Sequence, residues 1–179
     1  GDAEAQVVLC SGSPTGSDYY SAWLIGWGED SVYGFFPKGA QGGFDMEDMG
    51  RQYVSDKDGK EFLAWVTRFV WRFGLAVKDY RYVARLANID DSLESAAVGT
   101  STNIANKMGE CLAAIWNPEA GDLVWYMNRR TFALFNAQLQ AKTGNLLEWL
   151  DRGGRRIPHH LGVPIRITDA LVTETSAVS

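Results

Sequence analysis

The chain has 179 residues, of which 46% are hydrophobic, and it contains seven Trp, seven Tyr and eight Phe. This length and apolar content are enough for one large domain or two small lobes with a real core. A net charge of −5 argues against a general nucleic-acid-binding protein, and no apolar run approaches the ~20 residues that span a bilayer.

The first twenty residues predict little regular structure. A short apolar run at residues 7–10 is followed by SGSPTGSD, which is typical of a linker, and we interpret residues 1–17 as a linker or arm. The chain opens with Gly-Asp and shows no signal peptide, so we expect a fragment or a processed form. Cys10 and Cys111 lie far apart without a CxxC pattern, which predicts two reduced thiols.

A hairpin, a loop and a turn are predicted next. Apolar residues 22–27 and 32–36 flank Gly-Glu-Asp-Ser, which favours a hairpin. Residues 37–51 hold four Gly and three acids, so a loop is expected there. Residues 56–60 (DKDGK) predict a tight turn; a calcium loop is disfavoured because its Gly stands fourth instead of sixth.

The stretch with the most aromatic rings covers residues 62–87. Its first half alternates with a period near two, which places an aromatic face on one side of a strand. That face comprises Leu63, Trp65, Thr67, Phe69, Trp71 and Phe73. Gly74 interrupts the run, and residues 77–86 resume it. We interpret the aromatic stripe as core first, in a long, bent sheet that packs on another element or another subunit.

Two helices are predicted in the second half of the chain. Residues 88–99 form a polar connection, and Ser101 or Thr102 caps the first helix. Its apolar residues recur at helical spacing, and Asn117-Pro118 ends it. Asn128 caps the second helix, which follows a short apolar strand at residues 123–127.

The last third of the chain predicts mostly irregular structure. Residues 145–160 are interpreted as an irregular basic loop. Residues 162–167 predict an edge or entry strand because Pro164 has no N–H to donate to a sheet. The tail at residues 176–179 is small and polar.

The sequence offers little for catalysis or metal binding. GxSxG, GxGxxG and GxxxxGK[ST] motifs are absent, and the adjacent His159 and His160 have no third ligand nearby. No enzyme, cofactor or metal is therefore predicted, and the two His are placed in a solvated loop or a subunit contact. The concentrated positive patch is Arg152, Arg155, Arg156, His159 and His160. We expect this patch to contact an acidic segment, with the 37–51 loop as the candidate, and favour that interpretation over binding to nucleic acid.

Two carbohydrate-active alternatives stay open from the residues alone. Asp45 and Glu47 are candidate carboxylates of a small glycosidase, which requires them to face each other across a cleft at roughly 5–10 Å. Trp65 and Trp71 are candidates for the sugar platform of a binding module, which requires exposed, coplanar rings.

Four separated blocks of sequence carry a resemblance to a known family, in the same order as in that family. They are residues 23–39 with 47–50, residues 71–90 (WRFGLAVKDYRYVARLANID), residues 126–129 (YMNR), and residues 161–170. Together they resemble one group of tailed-bacteriophage major capsid proteins over most of residues 18–175.

The resemblance implies the Hong-Kong-type capsid fold shared by tailed phages and herpesviruses. The fold class implied is α+β, a mixed or antiparallel sheet with long strands and two main helices. It forms an axial domain and part of a peripheral domain. Residues 18–90 are expected to supply the strands that join the two domains, and residues 91–175 the axial-type lobe. Family members carry an N-terminal arm, an extended loop and a spine helix before the segment that opens here, and this chain is expected to lack all three.

The function implied is shell building by a phage or prophage head protein. Expected partners are copies of itself in pentamers and hexamers, with scaffold or decoration proteins. The shell is expected to enclose DNA without sequence-specific binding. The chain is expected in the virion, and in the bacterial cytoplasm during assembly. Predicted assembly contacts are Pro37, Lys38, Glu47, Asp48, Arg152, Arg155, Arg156 and His159.

Overall fold

The computed structural model describes residues 6–10, 18–38, 42–90, 103–119, 121–140, 148–152, 154–174, 176 and 178. The chain divides into two compact units. We call the larger unit, Gly1–Val32 with Val77–Ser179, the body, and the smaller, Tyr33–Ala76, the ribbon unit. The ribbon unit is therefore one continuous insertion in the chain of the body.

The described residues form eleven strands and two α-helices. The strands are β1 (Val7–Leu9), β2 (Tyr19–Trp27), β3 (Val32–Phe35), β4 (Phe44–Ser55), β5 (Glu61–Trp71), β6 (Gly74–Val77), β7 (Val83–Asp90), β8 (Asp122–Met127), β9 (Glu148–Arg152), β10 (Arg155–His160) and β11 (Val163–Ile167). The helices are α1 (Ile104–Ala114) and α2 (Arg129–Gln140), and a short 3-10 turn, Tyr80–Tyr82, precedes β7.

The body is built on a mixed sheet with the order β1-β7-β2-β8-β11-β10-β9. Strands β1 and β7 are parallel, as are β8 and β11, and the other neighbours on this path are antiparallel. The α+β class with a mixed sheet and two helices is therefore confirmed.

The core of the body lies between this sheet and the two helices. Each helix buries one stripe at helical spacing, as the sequence predicts, and the central strands supply the opposite wall. Its largest fully buried apolar side chains are Leu24, Leu86, Ile89, Ile104, Met108, Trp125, Met127, Leu134, Phe135, Leu139 and Ile165. A continuous apolar core of this kind lets the body hold its own fold.

The helix starts follow ordinary capping chemistry. Asn103 caps α1, where its Oδ1 accepts hydrogen bonds from the N–H groups of Ala105 (3.1 Å) and Asn106 (3.4 Å). The predicted caps, Ser101 and Thr102, lie outside the described residues. The predicted cap of α2 is confirmed, since the backbone N–H of Thr131 donates to Asn128 Oδ1 at 2.7 Å.

The predicted hairpin at residues 21–36 is wrong. Strands β2 and β3 pair in parallel, through Trp27 and Val32, and β3 continues to pair with β6. The connection is closed by its own hydrogen bonds: Gly28 N donates to Val32 O (3.0 Å) and Ser31 Oγ to Gly26 O (2.9 Å). These bonds pair the polar groups of the connection, and the chain passes from β2 to β3 without reversing its direction.

Two segments predicted as loops are largely strands. Strand β4 begins at Phe44, inside the predicted loop 37–51. The predicted irregular loop 145–160 contains β9 and β10, which pair antiparallel from Arg155–Arg152 to His159–Glu148. In both cases the strand is formed by pairing with a neighbour, which a count of Gly and charges along one segment does not reveal.

Strand β11 is interior, so the prediction of an edge strand is wrong. It lies between β8 and β10. The β8 ladder starts at Ile165, and Pro164 therefore precedes it, where its missing N–H breaks no bond to β8.

Three further observations concern membrane spans, metal ligands and cysteines in the described part of the chain. No described helix has the length and apolar character that crossing a membrane requires. Within the same described ranges, no group of three or more His, Cys, Asp or Glu is placed to hold a metal ion. Cys10 and Cys111 are buried and form no disulfide with each other, and burial raises the pKa of each thiol to about 12.

Candidate assembly surface

The ribbon unit is dominated by a long two-stranded antiparallel ribbon, β4 with β5. The strands are twelve and eleven residues long. The predicted turn at residues 56–60 joins them and is confirmed: Asp56 N donates to Lys60 O at 2.9 Å, and Gly59 adopts a positive φ of 75°. The ribbon therefore ends in a tight, polar tip.

A bulge in β4 decides which side chains share a face. Asp48 pairs with Thr67 and Arg51 pairs with Trp65, so β4 advances three residues while β5 advances two. Gly50, at a φ of 69°, lies in this bulge. Because side chains alternate strictly along a strand, the extra residue keeps Arg51 and Tyr53 on the same face as Asp48.

One face of the ribbon, which we call the ring face, carries six cross-strand pairs. From base to tip they are Phe44–Trp71, Met46–Phe69, Asp48–Thr67, Arg51–Trp65, Tyr53–Leu63 and Ser55–Glu61. All the side chains in these pairs are exposed. The alternation predicted for residues 63–71 is thus confirmed, and β4 extends the same aromatic surface.

The opposite face, which we call the mixed face, combines smaller apolar side chains with charges. Its cross-strand pairs are Asp45–Val70, Glu47–Arg68, Gln52–Ala64 and Val54–Phe62. Two carboxylates and one guanidinium lie on this face, so its burial requires their desolvation.

Contacts within the ring face hold its rings in place. Phe44 and Phe69 stack with centroids 5.9 Å apart and planes inclined by 27°. The guanidinium of Arg51 lies 5.2 Å from the Trp65 ring centroid, a cation–π contact. Trp71 Nε1 donates to Gly42 O at 3.0 Å. The surface is consequently ordered in the single chain although it is open to solvent.

The base of the ribbon carries an apolar cleft of about 450 Å³. Its lining residues are Phe35, Phe36, Pro37, Trp71, Arg72, Phe73 and Gly74. The rings of Phe35 and Phe73 lie against the backbone of Gly74 and Gly34 respectively, where a Cβ atom would meet them. The exposed rings of Phe35, Phe36 and Phe73 thus extend the apolar surface at the base of the ribbon.

The ribbon unit has no core of its own among the residues that the structure describes. None of its hydrophobic side chains is buried, and it supplies 14 of the 22 exposed large hydrophobic side chains of the described chain. The interpretation of the aromatic stripe as core is therefore wrong for the single chain. Exposed apolar surface on this scale is typical of an interaction site. An isolated two-stranded ribbon is also at best marginally stable in water, so further contacts would stabilise it.

The predicted contact residues are distributed over both units. Pro37 and Lys38 are exposed in the ribbon unit, and Glu47 and Asp48 lie on opposite faces of the ribbon. Their role as contacts stays a prediction. The acidic 37–51 segment and the basic 152–160 segment, predicted as neighbours, belong to different units.

The histidines of the predicted basic patch do not lie in a solvated loop. His159 is only 3% exposed in β10, and its Nδ1 lies 2.9 Å from Ile157 O. His160 is also buried and meets the Phe135 ring edge-on at 5.1 Å. Both side chains belong to the interior of the body, so His159 is not an accessible contact. Arg156 is exposed on β10, while Arg152 and Arg155 occupy the paired ends of β9 and β10.

The arrangement does not match a glycosidase site. Asp45 and Glu47 lie two residues apart on the same strand and the same face, so they point side by side to solvent and not at each other across a cleft. Trp65 and Trp71 are exposed on the ring face, but two cross-strand pairs, Asp48–Thr67 and Met46–Phe69, separate them.

Comparisons with known proteins identify the family of the chain. No curated protein sequence matches the chain. A chain in the near-atomic-resolution cryo-EM structure of bacteriophage epsilon15 is similar, with a TM-score of 0.59 and 27% sequence identity. The match covers 98% of this chain, which spans about half (53%) of the epsilon15 chain. The family model described as major capsid protein GP7 matches residues 1–179, and the chain therefore belongs to the GP7 family of major capsid proteins.

Proposed function

We propose that the protein builds the icosahedral head of a phage by self-assembly and that the ribbon unit supplies contacts between copies. The observation that carries this proposal is the absence of any buried hydrophobic side chain among the described residues of the ribbon unit. Membership of a capsid protein family supports a second copy of the protein as the partner that covers these side chains.

The body and the ribbon unit fit different parts of such a subunit. We propose that the body, which has a closed core, corresponds to most of the axial domain, around which pentamers and hexamers form. The ribbon unit then corresponds to part of the peripheral domain. Scaffold or decoration proteins would add contacts during assembly in the host cytoplasm.

The proposed role of the shell toward DNA is enclosure without sequence-specific binding. A net charge of −5 supports this, because a protein that grips phosphates needs clustered Lys and Arg. The proposed function is structural and includes no catalysis, which agrees with exposed carboxylates that face solvent on the ribbon.

The proposal is tested by a matched pair of tryptophan substitutions in the intact capsid protein. Trp65 on the ring face and Trp116 in the body are both 69% exposed, and each lies under an arginine, Arg51 and Arg81 respectively. Trp65→Ser is expected to reduce sedimenting particles by about tenfold or more, because a desolvated Trp anchor is commonly worth about 2 kcal/mol or more. Trp116→Ser is expected to assemble normally. Equal assembly of both variants, measured by sedimentation and electron microscopy, would refute the proposal.

A further inference from the structure

We propose that the ring faces of two copies pack against each other, antiparallel, across a two-fold axis that passes between the Asp48–Thr67 and Arg51–Trp65 pairs. This inference rests on the proposed function and names the partner of its contact surface. The partner is the same face of a second copy. The contact is isologous, so each pair of contacting residues occurs twice, once on each side of the axis.

The order of the six pairs along the ring face is the first argument. The two central pairs carry opposite charges, Asp48 on one and Arg51 on the other, and apolar pairs lie on both sides of them. Successive pairs on one strand are roughly 6.8 Å apart, since a strand rises about 3.4 Å per residue. A rotation of 180° about the centre therefore brings Asp48 of each copy opposite Arg51 of the other.

The apolar pairs on either side of the centre also match under this rotation. The Met46–Phe69 pair of one copy meets the Tyr53–Leu63 pair of the other, so large apolar side chains cover each other. The Phe44–Trp71 pair at the base meets the Ser55–Glu61 pair at the tip, where polar groups form the rim. A parallel arrangement would instead bring the two Asp48–Thr67 pairs together and the two Arg51–Trp65 pairs together. Each charged side chain would then have a like charge, and not an opposite one, as its nearest charged neighbour in the other copy, which repulsion disfavours.

The area of the ring face suits a contact of this kind. Its exposed large apolar side chains are Phe44, Met46, Tyr53, Leu63, Trp65, Phe69 and Trp71. At roughly 100 Å² of exposed surface each, they offer about 700 Å² per copy, close to the ~800 Å² per partner of a standard interface.

The ring face is better prepared for burial than the mixed face. Arg51 already stacks on Trp65, and Asp48 Oδ1 accepts the Gly50 N–H at 3.0 Å, so both charged groups are oriented before the copies meet. The mixed face would bury Asp45 and Glu47 with Arg68 as the cation opposite Glu47. Burial there leaves excess negative charge, which is costly.

Charge reversal in the intact capsid protein tests the two-fold geometry. Asp48→Arg alone or Arg51→Asp alone places like charges across the axis in every pair, and each variant is expected to lose about tenfold or more of its particles. A mixture of the two variants restores both contacts. The two introduced side chains, which have opposite charges, then face each other, and the unchanged Arg51 of one variant faces the unchanged Asp48 of the other. Co-expression is therefore expected to recover particles to within about threefold of the wild type.

Gln52, which neighbours Arg51 but lies on the mixed face, supplies matched controls. Gln52→Arg and Gln52→Asp introduce the same charges on the other face and are expected to assemble normally. Full assembly of both ring-face variants alone would overturn the inference, as would a mixture that assembles no better than either variant.

Cross-linking gives a second measurement that does not depend on yield. Differently tagged copies carrying Asp48→Cys and Arg51→Cys are expected to be joined by a short bismaleimide, whereas two Asp48→Cys copies are joined more weakly. Cys10 and Cys111 are buried and do not compete. If the hetero-pair is not joined preferentially while Trp65→Ser still abolishes particles, the two-fold pairing fails and the proposed function stands. If Trp65→Ser assembles normally, the proposed function itself fails.

Discussion

The body and the ribbon unit have nearly the same fraction of hydrophobic residues, but they differ in whether those side chains are buried. In the ribbon unit, 20 of 44 residues are hydrophobic, about 45%, compared with 46% for the whole chain. Every described buried hydrophobic side chain nevertheless belongs to the body. Hydrophobic content therefore shows that a segment must be covered, and the structure is needed to show whether its own chain covers it.

The physical difference lies in what each unit can fold against itself. In the body, two amphipathic helices pack on a sheet and close a single core around Trp125. The ribbon is two strands with a turn, and a two-stranded ribbon with side chains on both faces has no third layer to cover them. Under the function proposed above, a neighbouring copy supplies the layer that the ribbon lacks.

The largest expected effect comes from comparing a Trp→Ala substitution in the body with one in the ribbon unit. Trp125→Ala removes a ring that is 1% exposed in the centre of the body and is expected to lower the free energy of unfolding by about 3–5 kcal/mol. Trp71→Ala, at a residue that is 69% exposed, is expected to cost less than about 1 kcal/mol in the unassembled chain.

Urea unfolding of the unassembled protein measures both values. Equal losses for the two variants would break the contrast between a closed body and an open ribbon, since they would mean that Trp71 is packed as tightly as Trp125. A larger loss for Trp71→Ala in assembled particles would sharpen the contrast, because it would show the ring becoming buried on assembly.

The next effect concerns the bulge that sets the ring face. Gly50 has a φ of 69° and open space where a Cβ would stand, so a substitution is limited by backbone strain and not by a clash. Gly50→Val is expected to cost about 1–3 kcal/mol in the ribbon and to favour a register without the bulge. Arg51 and Tyr53 would then leave the ring face.

Gly50→Asn is the control, because Asn tolerates a positive φ better than a β-branched residue. We expect Gly50→Val to abolish particles and Gly50→Asn to retain most of them, by sedimentation. Normal particles from Gly50→Val would show that assembly does not depend on which β4 side chains lie on the ring face.

The sequence predicts local features of both units well. Periodicity near 3.6 identifies both helices, the position of Asn128 before an apolar run identifies a cap, and Asp58-Gly59 identifies the ribbon turn. Alternation along residues 63–71 correctly predicts that the large side chains share one face of a strand. These features depend on contacts within a few residues, which a pattern records directly.

The failures concern what lies on the other side of a strand. An aromatic stripe predicts core because such stripes usually are core, but no described residue of this chain covers the ring face. The glycines and acids of residues 37–51 indicate a loop. In the structure Gly50 serves a bulge in β4, Asp45 and Glu47 lie on the mixed face, and Asp48 lies on the ring face. A local sequence pattern cannot show that His159 and His160 are buried. Their strand β10 lies between β9 and β11 in the sheet, and Phe135, which contacts the His160 ring, comes from α2.

The smallest expected effect uses the two native thiols as probes of whether the folded body excludes a reagent. Burial raises the pKa of Cys10 and Cys111 from 9.0 to about 12, so both stay protonated and unreactive in the folded body at about pH 8. We expect iodoacetamide to leave both unmodified for as long as the body is folded, and to modify Ser55→Cys at the tip of the ribbon quickly, as read by mass spectrometry. Because the folded pKa lies above the unfolded value, ionisation of these thiols leaves the free energy of unfolding unchanged below about pH 9 and lowers it as the pH rises toward about 12. Rapid labelling of Cys10 or Cys111 at about pH 8 would mean that the body opens as readily as the ribbon, and would remove the distinction between a region that is complete alone and one that its neighbours complete.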